Sequence, residues 1–216
     1  MPRTASTRPA PSAKAESGAA RLTRDDWLDA AFQAAVDGGL GAVRVLVLAQ
    51  VLGVTRGSFY WHFTDHAELI SALIDRWHRS ELAALAASKA PNGLDPVARM
   101  LQVLDQSITL TDKDRQNDRF EQALRSHAGS DAAVAELLEG IDRSRLQMLQ
   151  AHYVRLTGND DAAQELSALL YLAIVGSHQA LNRPAADARM AHYLKSIIAK
   201  RLVHAIEKRP EGSKVP

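Results

Sequence analysis

Apolar residues recur three and four positions apart along most of this chain. Sustained apolar/polar alternation is absent, as are Asn-Gly and Asp-Gly hairpin turns, so the pattern predicts helices and no sheet. The first helix opens at Thr23, whose hydroxyl can cap the first turn while Asp26 answers as the partner of a capping box. Leu22 and Trp27 stand where a hydrophobic staple sits, and the pair Gly38-Gly39 ends the helix. A second helix, about Arg44 to Leu52, stops at Gly53, and a third runs from about Thr55 to Trp61. Asp65 and Glu68 form a further cap pair that launches a fourth helix with Leu69, Ile70, Leu73, Ile74 and Trp77 on one face.

The clearest break is "PNGLD", Pro91 to Asp95. There Asp95 can cap, Pro96 fits the first helical position, and Val97, Met100, Leu101, Leu104 and Ile108 follow at helical spacing. Further helices are expected at about 115–127, 131–157, 160–182 and 186–208. The expected fold is all-α, with about nine helices in two parts. A three-helix helix-turn-helix domain spans 22–66, and a larger helical domain spans 67–208. Residues 1–21, rich in Pro, Ala and Ser, read as a disordered basic arm, and 209–216 as a disordered tail.

Composition narrows the chemistry. The chain has 216 residues, a net charge of +1 and no cysteine, which excludes disulfides and thiolate metal sites and suits a reducing cytoplasm. The longest nearly apolar run, Leu166 to Val175, is half of what a membrane span needs, and the first twenty residues hold no apolar signal core. His62, Asp65 and His66 suggest a metal site only at first glance. An i, i+4 histidine pair serves a metal on one continuous helix, and Asp65 starts a new one. Gly-rich phosphate loops and nucleophile elbows are missing, so neither an enzymatic activity nor a cofactor is expected.

The segment Gly53 to Phe63, "GVTRGSFYWHF", carries the functional reading. Two short helices joined by a glycine turn make a helix-turn-helix. The small Ala49 admits close approach, Gly53 can reverse the chain, Val54 plugs the interhelical angle, and Thr55 caps the helix that would enter a major groove. Phe59 and Phe63, four apart, should join Trp27, Phe32 and Val54 in a small core. Leu48-Ala49, the whole Gly53–Phe63 string and Glu68-Leu69 resemble the TetR/AcrR family of bacterial transcriptional regulators over about residues 22–75.

The resemblance implies a dimeric regulator, most often a repressor, that binds a palindromic DNA operator and leaves it when a small molecule binds. It implies DNA contacts from Arg44, Thr55, Arg56, Gly57, Ser58, Tyr60, Trp61, His62 and His66. Arg56 could read a guanine or merely touch phosphate. The chain departs from the family at Val47, where an acidic residue is usual, and at His66, where a lysine is usual. The charge of residues 22–66 departs too: three basic residues against five acidic give −2, whereas the arm carries four against one, +3, and is expected to add electrostatic grip. These departures keep open a competing reading, a helical ligand-binding or interaction protein of the same fold without specific DNA binding.

The last two helices are expected to form a homodimer, because Leu166, Leu169, Leu170, Leu172, Ile174 and Val175 are apolar nearly all round and need cover on every side. By the same resemblance, Met100, Leu104, Phe120, Leu124, His127, Met148, Tyr171, Val175 and His178 are candidates to line an effector pocket, with ordinary core packing as the alternative for each. Their mix suggests a lipophilic or aromatic small molecule.

Overall fold

A computed structural model of the chain describes residues 22–88, 102, 112–180 and 184–207. Among them every regular element is helical. The elements are α1 (Arg24–Gly38), a 3-10 turn (Leu40–Ala42), α2 (Val45–Val51), α3 (Arg56–Phe59), α4 (His66–Ser88), α5 (Asp112–Ala128), α6 (Ala132–Thr157), α7 (Asp160–Ala180) and α8 (Pro184–Glu207). The expected helix after Pro96 lies outside the described residues except for Gln102, as do the arm and the tail. No helix among the described residues is long and apolar enough to cross a membrane.

The caps form largely as the sequence indicates. Thr23 and Asp26 close a full capping box, and Asp131 accepts hydrogen bonds from the amides of Ala133 and Val134 to start α6. Gly39, at φ 75°, stops α1, and Gly53, at φ 68°, takes the left-handed turn between α2 and α3 that a side chain would strain. Two local expectations are corrected. The third helix ends at Phe59 rather than Trp61, because Tyr60 and Trp61 turn back with amide bonds to the carbonyls of Gly57 and Ser58, three residues earlier. The Thr55 hydroxyl makes no capping bond. The Ser58 amide it could have bound is already taken by the Thr55 carbonyl at 3.0 Å.

Two apolar cores are strung along α6. The first gathers Trp27, Leu28, Ala31 and Ala35 of α1, Leu48, Phe59 and Phe63, and Leu69, Leu73 and Trp77 of α4. It continues through Phe120 and Leu124 into Val134, Leu138 and Ile141 of α6. The second joins Leu149, Tyr153 and Leu156, from the other half of α6, to Ala163, Leu166 and Leu170 of α7 and Ile198 and Leu202 of α8.

Between the cores runs an ionic layer. Arg145 of α6 binds Glu81 of α4 at 2.7 Å and Glu121 of α5 at 2.8 Å. Arg125 binds Glu121 and Asp142, each at 2.6 Å, Asn117 donates to Glu81 at 2.7 Å, and the Tyr171 hydroxyl of α7 donates to Asp142. Thus α4, which begins shortly after α3, is tied through Glu81 to two helices of the body, α5 and α6. Burial pushes the Glu121 carboxyl up, but the hydrogen bonds and charge of Arg145 and then of Arg125 outweigh it, and the group stays ionised with its pKa lowered. Asp142 is likewise held below its ordinary value against burial, by Arg125 and Tyr171.

Candidate DNA-binding head

The recognition helix is a single turn, too short to persist alone, so tertiary contacts must hold it. Phe59 supplies the main one. Its ring is fully buried, meets Trp27 edge-on at 5.4 Å between centroids and stacks on Phe63 at 5.4 Å. Both phenylalanines stand where their spacing puts them. Phe32 differs from expectation. It is only half-buried and packs on Phe120 at 5.0 Å, so it joins α1 to α5 rather than filling the centre of the head.

With Phe59 turned inward, the opposite side of the turn faces outward. Thr55, Arg56 and Gly57 are exposed and Ser58 is half-buried, while Tyr60 is exposed and Trp61, at 83% exposure, is almost wholly outside. The Tyr60 hydroxyl accepts from Arg56 at 3.2 Å, holding the guanidinium along the helix. Arg44 is exposed just before α2 and bonds the Gly41 carbonyl at 3.3 Å. His62 is half-buried, and its carbonyl accepts from Arg24 at 3.0 Å. His66 opens α4, where its Nε2 lies 2.6 Å from the Val43 carbonyl, so one ring nitrogen is committed to the fold and Nδ1 is left for another partner.

The acidic count of the head loses force once its carboxylates are placed. Residues 38–64 contain no Asp or Glu and two arginines, Arg44 and Arg56. The acids stand on α1 and at the start of α4, mostly engaged. Asp29 pairs with Arg76 at 2.7 Å, Asp37 accepts from Gln33 at 3.0 Å, and Asp65 caps the Glu68 amide at 2.8 Å. The Thr23 amide and hydroxyl hold the Asp26 carboxyl below its ordinary range, and the Thr64 amide and hydroxyl do the same for Glu68.

Sequence reasoning missed Arg24. A cation in the first turn of a helix opposes the helix dipole, and that misfit was the available signal. Its guanidinium lies 4.3 Å above the Phe63 ring and reaches Glu68 at 2.9 Å, across the junction of α3 and α4.

Among the described residues, the candidates for an effector pocket are divided between the two cores and the helix ends. Phe120 and Leu124 are fully buried in the first core, where Phe120 meets Phe32 and Trp77. Met148 and Tyr171 pack against the second core. Val175 is half-buried on α7, and His127 pairs with Asp131 at 3.6 Å near the end of α5. Met100 and Leu104 lie outside the described residues, and so does the side chain of His178.

The same head occurs in known proteins. The family model described as "Bacterial regulatory proteins, tetR family" matches residues 28–73. The HTH-type transcriptional regulator TtgR of Pseudomonas putida is 35% identical over 85 residues, which are 39% of this chain and 40% of TtgR. The HTH-type transcriptional regulator AcrR of Shigella flexneri is 31% identical over 94 residues, 42% of this chain and 44% of that one. The chain therefore covers about two-fifths of the length of these curated relatives. Solved structures extend the likeness of fold beyond the head. A transcriptional regulator from Rhodococcus sp. Rha1 matches with a TM-score of 0.69 at 22% identity, over 86% of this chain and 98% of that one. A transcriptional regulator from Saccharomonospora viridis, solved in complex with choline, matches at 0.64 and 18% identity over 82% and 95%. The head, over residues 28–73, is thus similar to that of bacterial regulatory proteins of the tetR family, and the described helices share the fold of the solved regulators.

Proposed function

We propose that the protein is a ligand-responsive transcriptional regulator, a repressor that binds a palindromic operator as a homodimer. One observation carries the reading. The leading turn of α3, Thr55–Ser58, stands exposed over a fully buried aromatic core, in a segment free of carboxylates. A helix start so placed offers free amides and a partial positive charge to phosphates, and its side chains to base edges. A one-turn reader contacts too few bases to select a site alone, so two copies on a two-fold operator are needed.

The other end of the molecule supports pairing. On α7, Leu166 and Leu170 point into the second core while Leu169 and Leu172 are exposed, Leu172 at 69%. On α8, Tyr193, Ile197 and Val203 are exposed as well. Two helices with apolar residues on both sides fit a four-helix interface with a second copy. A solved protein of the same fold holds choline, which supports a small organic molecule as effector.

The test is a gel shift with the DNA upstream of the protein's own gene, with Arg56→Ala assayed on a panel of operator variants. A specific complex is expected, with discrimination at one base pair lost by about 1–3 kcal/mol in the variant. Absence of any specific complex rejects the regulator. Uniform weakening across the panel leaves Arg56 a phosphate contact only.

A further inference from the structure

We propose that Arg24 is a positioning residue for DNA binding, an inference that rests on the function proposed above. From the first turn of α1 it locks the junction between the recognition helix and α4, without touching DNA itself.

The recognition helix ends after one turn, where amides of the turn that follows donate to its carbonyls at Gly57, Ser58 and Phe59. The His62 carbonyl is satisfied from 38 positions away, by Arg24 Nη1 at 3.0 Å. The same nitrogen meets Glu68 Oε1 at 2.9 Å. Glu68 Oε2 in turn accepts from the Thr64 amide and from its hydroxyl, each at 2.7 Å. Beneath the guanidinium lies the Phe63 ring, which also stacks with the buried Phe59. Every link of the junction, His62, Phe63, Thr64 and Glu68, is therefore held directly or at one remove by a single side chain on α1.

A planar fork that stacks on a ring while binding a carbonyl and a carboxylate is a task for arginine; lysine supplies the charge without the fork or the stacking. The residues whose pose depends on this lock are Tyr60, Trp61 and His62, which follow the recognition turn and carry its outward surface. Loosening the lock spreads them over several orientations, of which only one fits an operator, and affinity falls by the fraction lost.

The test compares wild type with Arg24→Lys and Glu68→Gln, using full-length protein and the operator found above. Each variant is expected to weaken binding by about tenfold, the scale of one charged hydrogen bond, and the double variant little more than either alone. The slope of log affinity against log salt should stay at the wild-type value, because no phosphate contact is lost. In the DNA-free protein, amide exchange at 60–64 should speed up in both variants. A third variant, Arg24→Gln, removes the cation: a slope shallower by about 0.9 there would show that Arg24 neutralises a phosphate, and overturns the proposal. Wild-type affinity in Arg24→Lys, or unchanged exchange at 60–64, overturns it as well. Should wild type itself find no operator, the regulator reading fails; the exchange measurement still reports whether the lock exists.

Discussion

The two cores of this protein are built from the same helix, yet they face opposite problems. The first, around Trp27, Phe59, Phe63 and Phe120, is closed within one chain. Its residues are buried to within a few per cent of complete, and its edges are tied by the box at Thr23 and the Arg24 junction. The second, around Tyr153, Leu166 and Leu170, is buried as well, but among the described residues its helices α7 and α8 also present Leu172, Ile197 and Val203 to water. A reading head has to keep one shape as a monomer, whereas a pairing module can leave apolar area for its twin to bury. The ionic layer separates the two, so a helix shared by both cores changes from one packing task to the other within about two turns.

The largest effect expected from breaking this comparison is at Phe120, the ring that carries the first core from the head into the body. Phe120→Ala should cost about 3–5 kcal/mol in urea unfolding. It should also reduce operator binding, because the contacts with Phe32 and Trp77 are lost together. Next comes Arg145→Met. Removing that cation leaves Glu81 and Glu121 facing each other with little solvent, at a cost of about 3 kcal/mol. Replacing Glu81, Glu121 and Arg145 together by apolar residues of similar size should restore most of the loss, which separates the charge balance of the layer from its packing.

A smaller effect is expected at Asp118, on α5 beside the layer, and it depends on pH. Burial, then the charge of Glu121, push its carboxyl up from 3.8 to about 7. The folded chain therefore keeps the proton up to about pH 7, whereas the unfolded chain releases it near pH 4. The carboxyl costs nothing below pH 4, an increasing amount between pH 4 and 7, and a constant amount above. Asp118→Asn should match wild type at pH 4 and exceed it by about 1–2 kcal/mol at pH 8, a figure reduced for the group's partial exposure. Equal stability at both pH values would remove Asp118 from the account. The smallest effect is at Arg143, on the outer face of α6 two residues before Arg145. Its pair with Glu139 has the same chemistry at 2.8 Å but is 64% and 72% exposed. Arg143→Ala should change stability by less than about 0.5 kcal/mol. Together with Arg145→Met it measures what burial alone adds to an ion pair.

How much of this was legible in the sequence depended on range. The helix starts at Thr23 and Asp65 could be read because a capping side chain and the amide it binds lie within three residues. The left-handed turn at Gly53 could be read because glycine relieves a local steric conflict, and the pairing of Phe59 with Phe63 because one turn of helix sets it. The exposed leading turn of α3 followed from the same short-range geometry together with a family string specific enough to name.

What the tertiary structure decided lies beyond one turn. Nothing near Arg24 indicates that its partner is the carbonyl of His62, and nothing near Phe32 that it serves Phe120 instead of Phe59. The carboxylates of the head counted against DNA until the structure paired Asp29 with Arg76 and Asp37 with Gln33, and turned Asp26 and Glu68 to the amides of Thr23 and Thr64. The charges of α5 and α6 cannot be told from a solvated face in the sequence; they form a layer only because their helices meet and exclude water between them. Local sequence determined where each helix begins and which side is apolar, because those choices are made within a turn. The partners of a buried charge or ring were decided by packing, since residues distant in the chain become neighbours only when the helices assemble.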